Sequence, residues 1–421
     1  MSKLIFVKIA CYCDSELVPT ITDCLDKADR PEDLRFGICW QHRENETLPE
    51  ICNSDQFRII DVLWNESKGL GWARNECQRL YDGEGYTLQL DAHHRFAKGW
   101  DTSLIEMLHS TGSEMPILTA YPPAYNPITN TLFGDAPSVM CGRYFTQIGA
   151  IMYQACVIEN WEKIEKPQRA RFMGGCFYFT LGCHCIDYQY DPEMYFSEEE
   201  ICLALRSYTM GYDIFHPHRA VLWHNYSIGN LRTHSVDHSD EAKAKGLVES
   251  SWKDRQEIGK KRLSQLLGTS EHRLDLGIYG LGTKRTRSDY EKYAGLKFNE
   301  HLLSLDAITG NEPPPLKPYR EKVFYRIKTF NLNYTVPDSN AQILSKQTTR
   351  IWIFLADFKH NIVWRKKLSP RQICYAVKNK KIHAQATLTP RRQITSWLIL
   401  TKSGCKWNRP ILISINPVGW Q

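Results

Sequence analysis

The chain opens with an almost wholly apolar run of strand length, Leu4 to Cys11, as expected for a parallel strand covered on both faces. Leu17 to Leu25 follows with helical spacing, entered through Asp14 or Ser15 as cap and with Pro19 in its first turn. Leu34 to Trp40 and Phe57 to Leu63 read as two more strands. This rhythm predicts a largely parallel α/β sheet of nucleotide-binding topology. Asn65 to Asn75 is a loop punctuated by Gly69 and Gly71 that runs into a helix over Ala73 to Tyr81, and Arg74 falls in that helix's first turn. Such a turn aims backbone amides at an anion, although it matches neither a Walker A loop nor a dinucleotide fingerprint. A capping turn with a surface Arg is the plain alternative.

Tyr86 to Leu90 alternates as a half-buried strand and stops in Asp91-Ala-His93-His-Arg-Phe96. Ligands collect beyond the carboxyl ends of strands in open α/β sheets. Asp91 and His93, two residues apart on extended chain, can point the same way and offer one hard oxygen and one imidazole nitrogen. The pair suits a borderline divalent ion such as Mn²⁺, whereas a structural zinc site would close four ligands. A strand end capped by a hydrogen-bonded Asp is the competing account.

Further along, Trp100 to His109 predicts a helix, Pro116 to Ala120 a strand and Tyr121-Pro-Pro a rigid turn. Phe133 to Glu165 is less patterned and is expected to be an insertion. Gly174-Gly175 precede the aromatic strand Cys176 to Phe179, as a glycine bulge or as a place where backbone passes close to a ligand. Ser197 and Glu200 form a capping-box pattern at the start of a helix that runs to Tyr212. That box leaves Glu198 and Glu199 as either functional acids or first-turn residues favoured by the helix dipole. Asp213 to Tyr226 is a strand into a loop bearing His216, His218 and His224. Thr233 to Glu257 suits a mobile loop and then a helix.

Composition changes this picture little. The 421 residues, 42% hydrophobic with a formal charge of +6, describe a globular chain long enough for more than one domain. The excess of Lys and Arg lies largely after residue 255, and no polybasic run calls for nucleic acid. Met1 to Ala10 lacks the long apolar core of a signal peptide and no apolar run reaches transmembrane length, so a cytoplasmic protein is expected. The 14 cysteines, Cys183-His-Cys185 among them, are then expected as free thiols. Around Asn311 to Pro318 the chain becomes proline-rich, predicting a stiff linker over 311–320 between a domain of residues 1–310 and one of 321–421. The short alternating strands Lys322 to Tyr334, Thr349 to Phe358, Ile382 to Leu388, Ser396 to Lys402 and Pro410 to Ile415 predict an antiparallel β-sandwich. Its Trp352, Trp364, Trp397 and Trp407 are candidates for core packing or for stacking on sugars.

The β-α-β start, Lys68-Gly-Leu-Gly-Trp-Ala-Arg-Asn75 and Gln89-Leu-Asp-Ala-His-His-Arg-Phe96, in that order, resemble the nucleotide-sugar half of GT-A glycosyltransferases. The closer likeness is to the GlcNAc-transferase family that includes cytoplasmic hydroxyproline GlcNAc-transferases of protists and many bacterial members. That family is similar in turn to polypeptide N-acetylgalactosaminyltransferases, whose metal motif is also Asp-x-His. Tyr121-Pro-Pro-Ala-Tyr125 and Leu276 to Gly295 resemble further family segments, and the likeness stops at the linker.

The resemblance implies a metal-dependent, retaining transfer of GlcNAc from UDP-GlcNAc to a protein or glycan hydroxyl, with Mn²⁺ or Mg²⁺ held by Asp91, His93 and His224. His216 and His218 stay open as rivals for the third ligand. Arg74, Asp91, Gly174, Gly175, Lys284 and Arg285 would contact the donor, and Glu198 and Glu199 would hold donor or acceptor hydroxyls. Because configuration is retained, no catalytic base is expected opposite the leaving group. A non-catalytic carbohydrate-binding protein with a decayed site is the alternative.

Overall fold

The computed structural model of the chain describes residues 3–414 apart from 147–148, 159, 197–198, 228–233, 272, 315–323, 327, 338–343, 346, 358–361, 389–393, 404–405 and 409–410. It divides into two compact units, Met1–Phe324 and Tyr325–Gln421. Residues 315–320 of the expected linker, the catalytic candidate Glu198 and its neighbour Ser197 lie outside the described residues.

In the first unit β1 (Ile5–Tyr12), β2 (Leu34–His42), β3 (Phe57–Leu63) and β4 (Tyr86–Leu90) form in place from the apolar runs, with α1 (Leu17–Lys27) and α2 (Leu70–Gln78) between them. Next come β5 (His94–Phe96), α3 (Trp100–Ser110), β6 (Pro116–Thr119), β7 (Tyr125–Asn126), β8 (Thr131–Leu132), β9 (Ser138–Phe145), β10 (Ile151–Val157), β11 (Gln168–Arg169), β12 (Phe177–Leu181) and α4 (His184–Asp187). Then follow α5 (Glu199–Thr209), β13 (Asp213–His216), β14 (Leu222–His224), α6 (His234–Asp237), α7 (Asp240–Ala244), α8 (Trp252–Leu267), α9 (Arg287–Ala294), β15 (Leu296–Lys297), β16 (Leu302–Ser304) and α10 (Leu305–Thr309).

The eight-stranded central sheet has the order β11-β13-β6-β12-β4-β1-β2-β3. Its β3-β2-β1-β4 half is parallel throughout, the topology expected from the sequence. Beyond β4 the sheet turns mixed, since β12 runs antiparallel to both β4 and β6. β4 is therefore buried on both faces and flanked on both edges, and all five of its residues are buried. The chain order reverses around β1 and β4, which leaves a crevice outside their carboxyl ends. The insertion expected over 133–165 contains the β9–β10 hairpin.

The stretch 233–257 was expected as a mobile loop and then a helix; the helix is α8, and the part expected as a loop contains the short helices α6 and α7. α6 is fixed to the sheet side: His234 Nε2 lies 2.9 Å from Ser67 Oγ, and Asp237 accepts from Tyr12 Oη at 2.9 Å. No helix among the described residues is long and apolar enough to cross a membrane.

The division into units falls within β17 (Phe324–Arg326). The second unit continues with β18 (Lys328–Thr335), β19 (Thr348–Asp357), β20 (Ile362–Lys367), α11 (Pro370–Asn379), β21 (Lys381–Leu388), β22 (Ile394–Ser403), β23 (Lys406–Trp407) and β24 (Ile411–Ser414). All its pairings are antiparallel, β18 with β21 in one ladder and β20-β19-β22 with β23 and β24 in another. Strand β23 was unpredicted, and two further elements were not expected. β20 was unpredicted, and α11 is held by a capping box of Ser369 and Gln372 with Pro370 at its first position, contributing Ile373 and Ala376 to the core. Trp397, 3% exposed, belongs to that core and Trp364 packs on it edge-on at 5.7 Å.

Candidate active site

The site is assembled at the carboxyl end of β4. Ile9 of β1 lies opposite Leu90 of β4, so the residues that follow the two strands emerge side by side. Asp14 follows β1 and Asp91 follows β4. Asp14 does not cap α1, as the sequence had suggested. Its Oδ1 accepts from the Glu16 amide, while Oδ2 lies 2.8 Å from His93 Nδ1. That bond places the His93 proton on Nδ1 and leaves Nε2 as a lone pair directed at Asp91 Oδ2, 3.9 Å away. Short β5 then pairs with β14 so that His224 stands across from His94, and the Asn225 amide donates to the His93 carbonyl at 3.1 Å. This register brings His224 Nε2 to 3.3 Å from Asp91 Oδ2. One ligand atom from each of Asp91, His93 and His224 lies within 4.8 Å of the others.

The two rival histidines go elsewhere. His216 is pinned between the Thr119 carbonyl (2.8 Å, Nδ1) and the Met140 amide (3.1 Å, Nε2), and burial pulls it down to about 4. His218 is buried and stands outside the three-residue group.

Arg74 closes the other side of Asp91. It sits in the second turn of α2, because that helix begins at Leu70 and not at Ala73, and it is 2% exposed. Its Nη2 donates to Asp91 Oδ1 at 2.9 Å and its Nη1 pairs with Glu199. Tyr190 Oη also donates to Glu199, at 3.3 Å. Burial works against ionisation of Asp91, but the hydrogen bond from His224 and the charge of Arg74 outweigh it and hold the carboxyl well below its usual range. One oxygen is thus occupied by a guanidinium and the other faces two imidazole nitrogens. An N₂O donor set with further positions open fits a catalytic divalent ion, Mn²⁺ better than Mg²⁺ on account of the imidazoles.

Gly175 is required for this packing. A Cβ there would lie 2.2 Å from Glu199 Oε2 and 3.0 Å from Arg74 Nη1, so the glycine makes room for the ion pair. Both glycine amides are engaged, Gly174 with Thr119 Oγ1 at 3.0 Å and Gly175 with Glu200 Oε1 at 2.9 Å. Glu200, assigned by the sequence to a helix cap, instead turns its carboxylate inward and also accepts from Tyr121 Oη at 2.6 Å. Burial pushes Glu200 up, against those two hydrogen bonds. Asp14, Glu200, Tyr121 and Tyr190 were not selected from the sequence. Only Asp14 had a usable signal, since it ends a strand adjacent to the one that Asp91 ends.

Lys284 and Arg285 are not at this site. Their amides donate to the Thr209 carbonyl, at the last residue of α5. The helix is eleven residues long, so they lie about 15 Å along its axis from Glu199. Arg285 is used there, paired with Asp213 at 2.7 Å and set over the Tyr208 ring at 4.6 Å. The loop before them wraps the same end of α5, where buried Arg206 donates to the Gly280 carbonyl at 3.1 Å. Arg285 thereby braces the carboxyl end of α5.

The sequence matches the model of the family described as Glycosyltransferase (GlcNAc) over residues 4–58 and 49–300. No curated protein matches it. Among solved structures, GalNAc-T7 with UDP, GalNAc and Mn²⁺ is similar at 16% identity and a TM-score of 0.46, covering 68% of this chain and 55% of that one. Thus the chain spans about half the length of that relative. TarS 1-349 of S. aureus is similar at 11% identity and a TM-score of 0.36, with 65% and 75% covered. The longer TarS structure gives 8% identity and a TM-score of 0.36 over 98% of this chain and 77% of that one. With the family model running through β1, the glycine loop, the Asp91-x-His93 strand end and His224, the chain belongs to the GlcNAc glycosyltransferase family.

Proposed function

We propose that the chain transfers N-acetylglucosamine from UDP-GlcNAc to a hydroxyl acceptor, a protein hydroxyl such as hydroxyproline or a glycan, with retention of configuration and with Mn²⁺ held by Asp91, His93 and His224. The observation that carries this reading is the convergence of one carboxylate oxygen and two imidazole nitrogens at the carboxyl end of β4. A divalent ion bound there supplies charge neutralisation for the departing diphosphate. The chain's own residues then do the positioning. Arg74 holds Asp91 Oδ1 and so turns Oδ2 toward the histidines. Asp14 fixes the His93 tautomer that leaves Nε2 unprotonated. Glu199 pairs with Arg74 Nη1 and so helps hold the buried guanidinium in place beside Asp91. Glu200 has lone pairs beyond the two that Gly175 and Tyr121 use, and these are available to a sugar or acceptor hydroxyl.

The test is release of UDP from a panel of UDP-sugars, with Mn²⁺ or with chelator, by the native chain and by Asp91→Ala. Release is expected from UDP-GlcNAc alone, to require the ion, and to fall at least about a thousandfold in the variant. Release that survives both chelator and Asp91→Ala would sink the assignment.

A further inference from the structure

The second unit carries a charge that the total for the chain conceals. Residues 325–421 hold 17 Lys and Arg against only Asp338 and Asp357, a formal +15. The preceding 324 residues, with 36 Lys and Arg against 45 Asp and Glu, are at −9.

The larger sheet of this unit has two unlike faces. Ile351, Ile353 and Leu355 of β19 are fully buried in the core, so Arg350, Trp352 and Phe354 stand on the opposite face. Register puts Leu400 beside Trp352, Leu398 beside Phe354, and Leu412 beside Leu398. The rings of Trp352 and Phe354 stack at 6.1 Å, and Leu412 is 58% exposed. Around this apolar centre stand the cations. Lys367 pairs with Trp352, Arg365 with Phe354, and Arg350 directly with Lys402. Lys402 Nζ lies 5.7 Å from the ring of Trp407, itself 47% exposed.

These neighbours make sense only against an anionic, partly apolar partner. Like charges directly opposite in an antiparallel ladder repel, as Arg350 and Lys402 do, and an anion between them removes the cost. The charged groups on the face are all cationic donors, whereas sugar hydroxyls need acceptors as well. Leucine side chains have no ring face on which a nucleobase can stack, so the three leucines fit a single-stranded nucleic acid poorly. Aromatic and aliphatic groups within a basic rim do match the boundary between acyl chains and phosphates in a bilayer.

We propose that this face of the second unit docks on an anionic lipid surface. Trp352, Phe354, Trp407 and Leu412 enter the headgroup boundary, and Arg350, Arg365, Lys367 and Lys402 meet lipid phosphates. The experiment is co-sedimentation of the full chain with phosphatidylcholine vesicles that contain phosphatidylglycerol, and with phosphatidylcholine vesicles alone. Binding is expected to the first only and to weaken as salt is raised. The double variant Arg365→Glu/Lys367→Glu is expected to bind at least about thirtyfold more weakly. Both residues are exposed on an edge strand, and unchanged UDP release verifies that the variant is folded. Leu412→Ser is expected to weaken binding about fivefold without altering its salt dependence. Equal binding to both vesicle types, no binding to either, or indifference to the double reversal overturns the proposal. Retention on heparin or single-stranded DNA without vesicle binding overturns it too, and gives the face to a soluble polyanion.

Discussion

Helix α5 ends in two very different places. Its first turn supplies Glu199 and Glu200 to the cluster around Arg74, Gly175 and Tyr121, where every carboxylate and guanidinium is buried or half-buried and each is satisfied by another charged or polar group. Its last turn is clasped by the loop that bears Lys284 and Arg285, whose bonds go to backbone carbonyls and to Asp213. Acid at one end and base at the other is what the helix macrodipole favours, so the general electrostatics of the two ends agree. Function is set by the sheet: the amino end of α5 meets Arg74 and Gly175 beside the carboxyl end of β4, and its carboxyl end leads to the start of β13, at the opposite end of the parallel strands. A basic pair is informative only once its end of the helix is known.

The contrast can be broken most severely at Arg74. Arg74→Ala leaves Glu199 and Asp91 facing each other without their shared cation, and is expected to cost about 3–5 kcal/mol in denaturant unfolding along with nearly all UDP release. Wild-type stability in this variant would remove Arg74 from the centre of the cluster. Glu200→Gln is the sharper probe, because the amide keeps an acceptor for the Gly175 amide. We expect turnover to drop about a hundredfold with unfolding free energy altered by under about 1 kcal/mol. An equal loss of stability would reduce Glu200 to a brace like Arg285.

His216 offers a test by pH at the site end of β13. Its pKa in the fold is about 4, below the ordinary value near 6.5. The unfolded chain therefore binds a proton that the folded chain refuses, and the stability tied to this group is complete above about pH 6.5. It is lost as pH falls toward 4, with a slope of at most about 1.4 kcal/mol per pH unit. His216→Gln, measured by thermal unfolding across that window, is expected to flatten the slope. The smallest effect is expected at the far end, where Lys284→Ala should leave the KM for the donor unchanged and stability within about 0.5 kcal/mol. A tenfold rise in KM there would bring the basic loop back to the diphosphate.

What was legible beforehand follows from where the information is local. β1 delimits itself to within a residue, because a strand covered on both faces must be continuously apolar, and β3 and β4 form over the predicted residues although Arg58, Asp61 and Gln89 interrupt their apolar character. Asp91 and His93 could be read from the strand end alone, since an extended chain sends alternate side chains the same way. Helix starts were less secure. α2 begins three residues before the predicted Ala73, and Glu200, expected only as part of a helix cap, joins Glu199 at the cluster. One residue is about 100° of helix rotation, so a small error of boundary changes which acid faces the site.

The sequence by itself determined the parallel nucleotide-binding half, the Asp-x-His strand end, the second unit with its antiparallel strands and the family. Only the tertiary structure decided that His224 completes the cluster while His216 is held by backbone groups, that Asp14 orients His93, that Gly175 yields its Cβ space to an ion pair and that Lys284 and Arg285 stand at the wrong end of α5. Each of these depends on the register between segments far apart in the chain, β5 with β14 or α5 with the sheet. Local periodicity fixes which residues form an element. It carries no term for the distance between two elements, and the chemistry of this site lies in those distances.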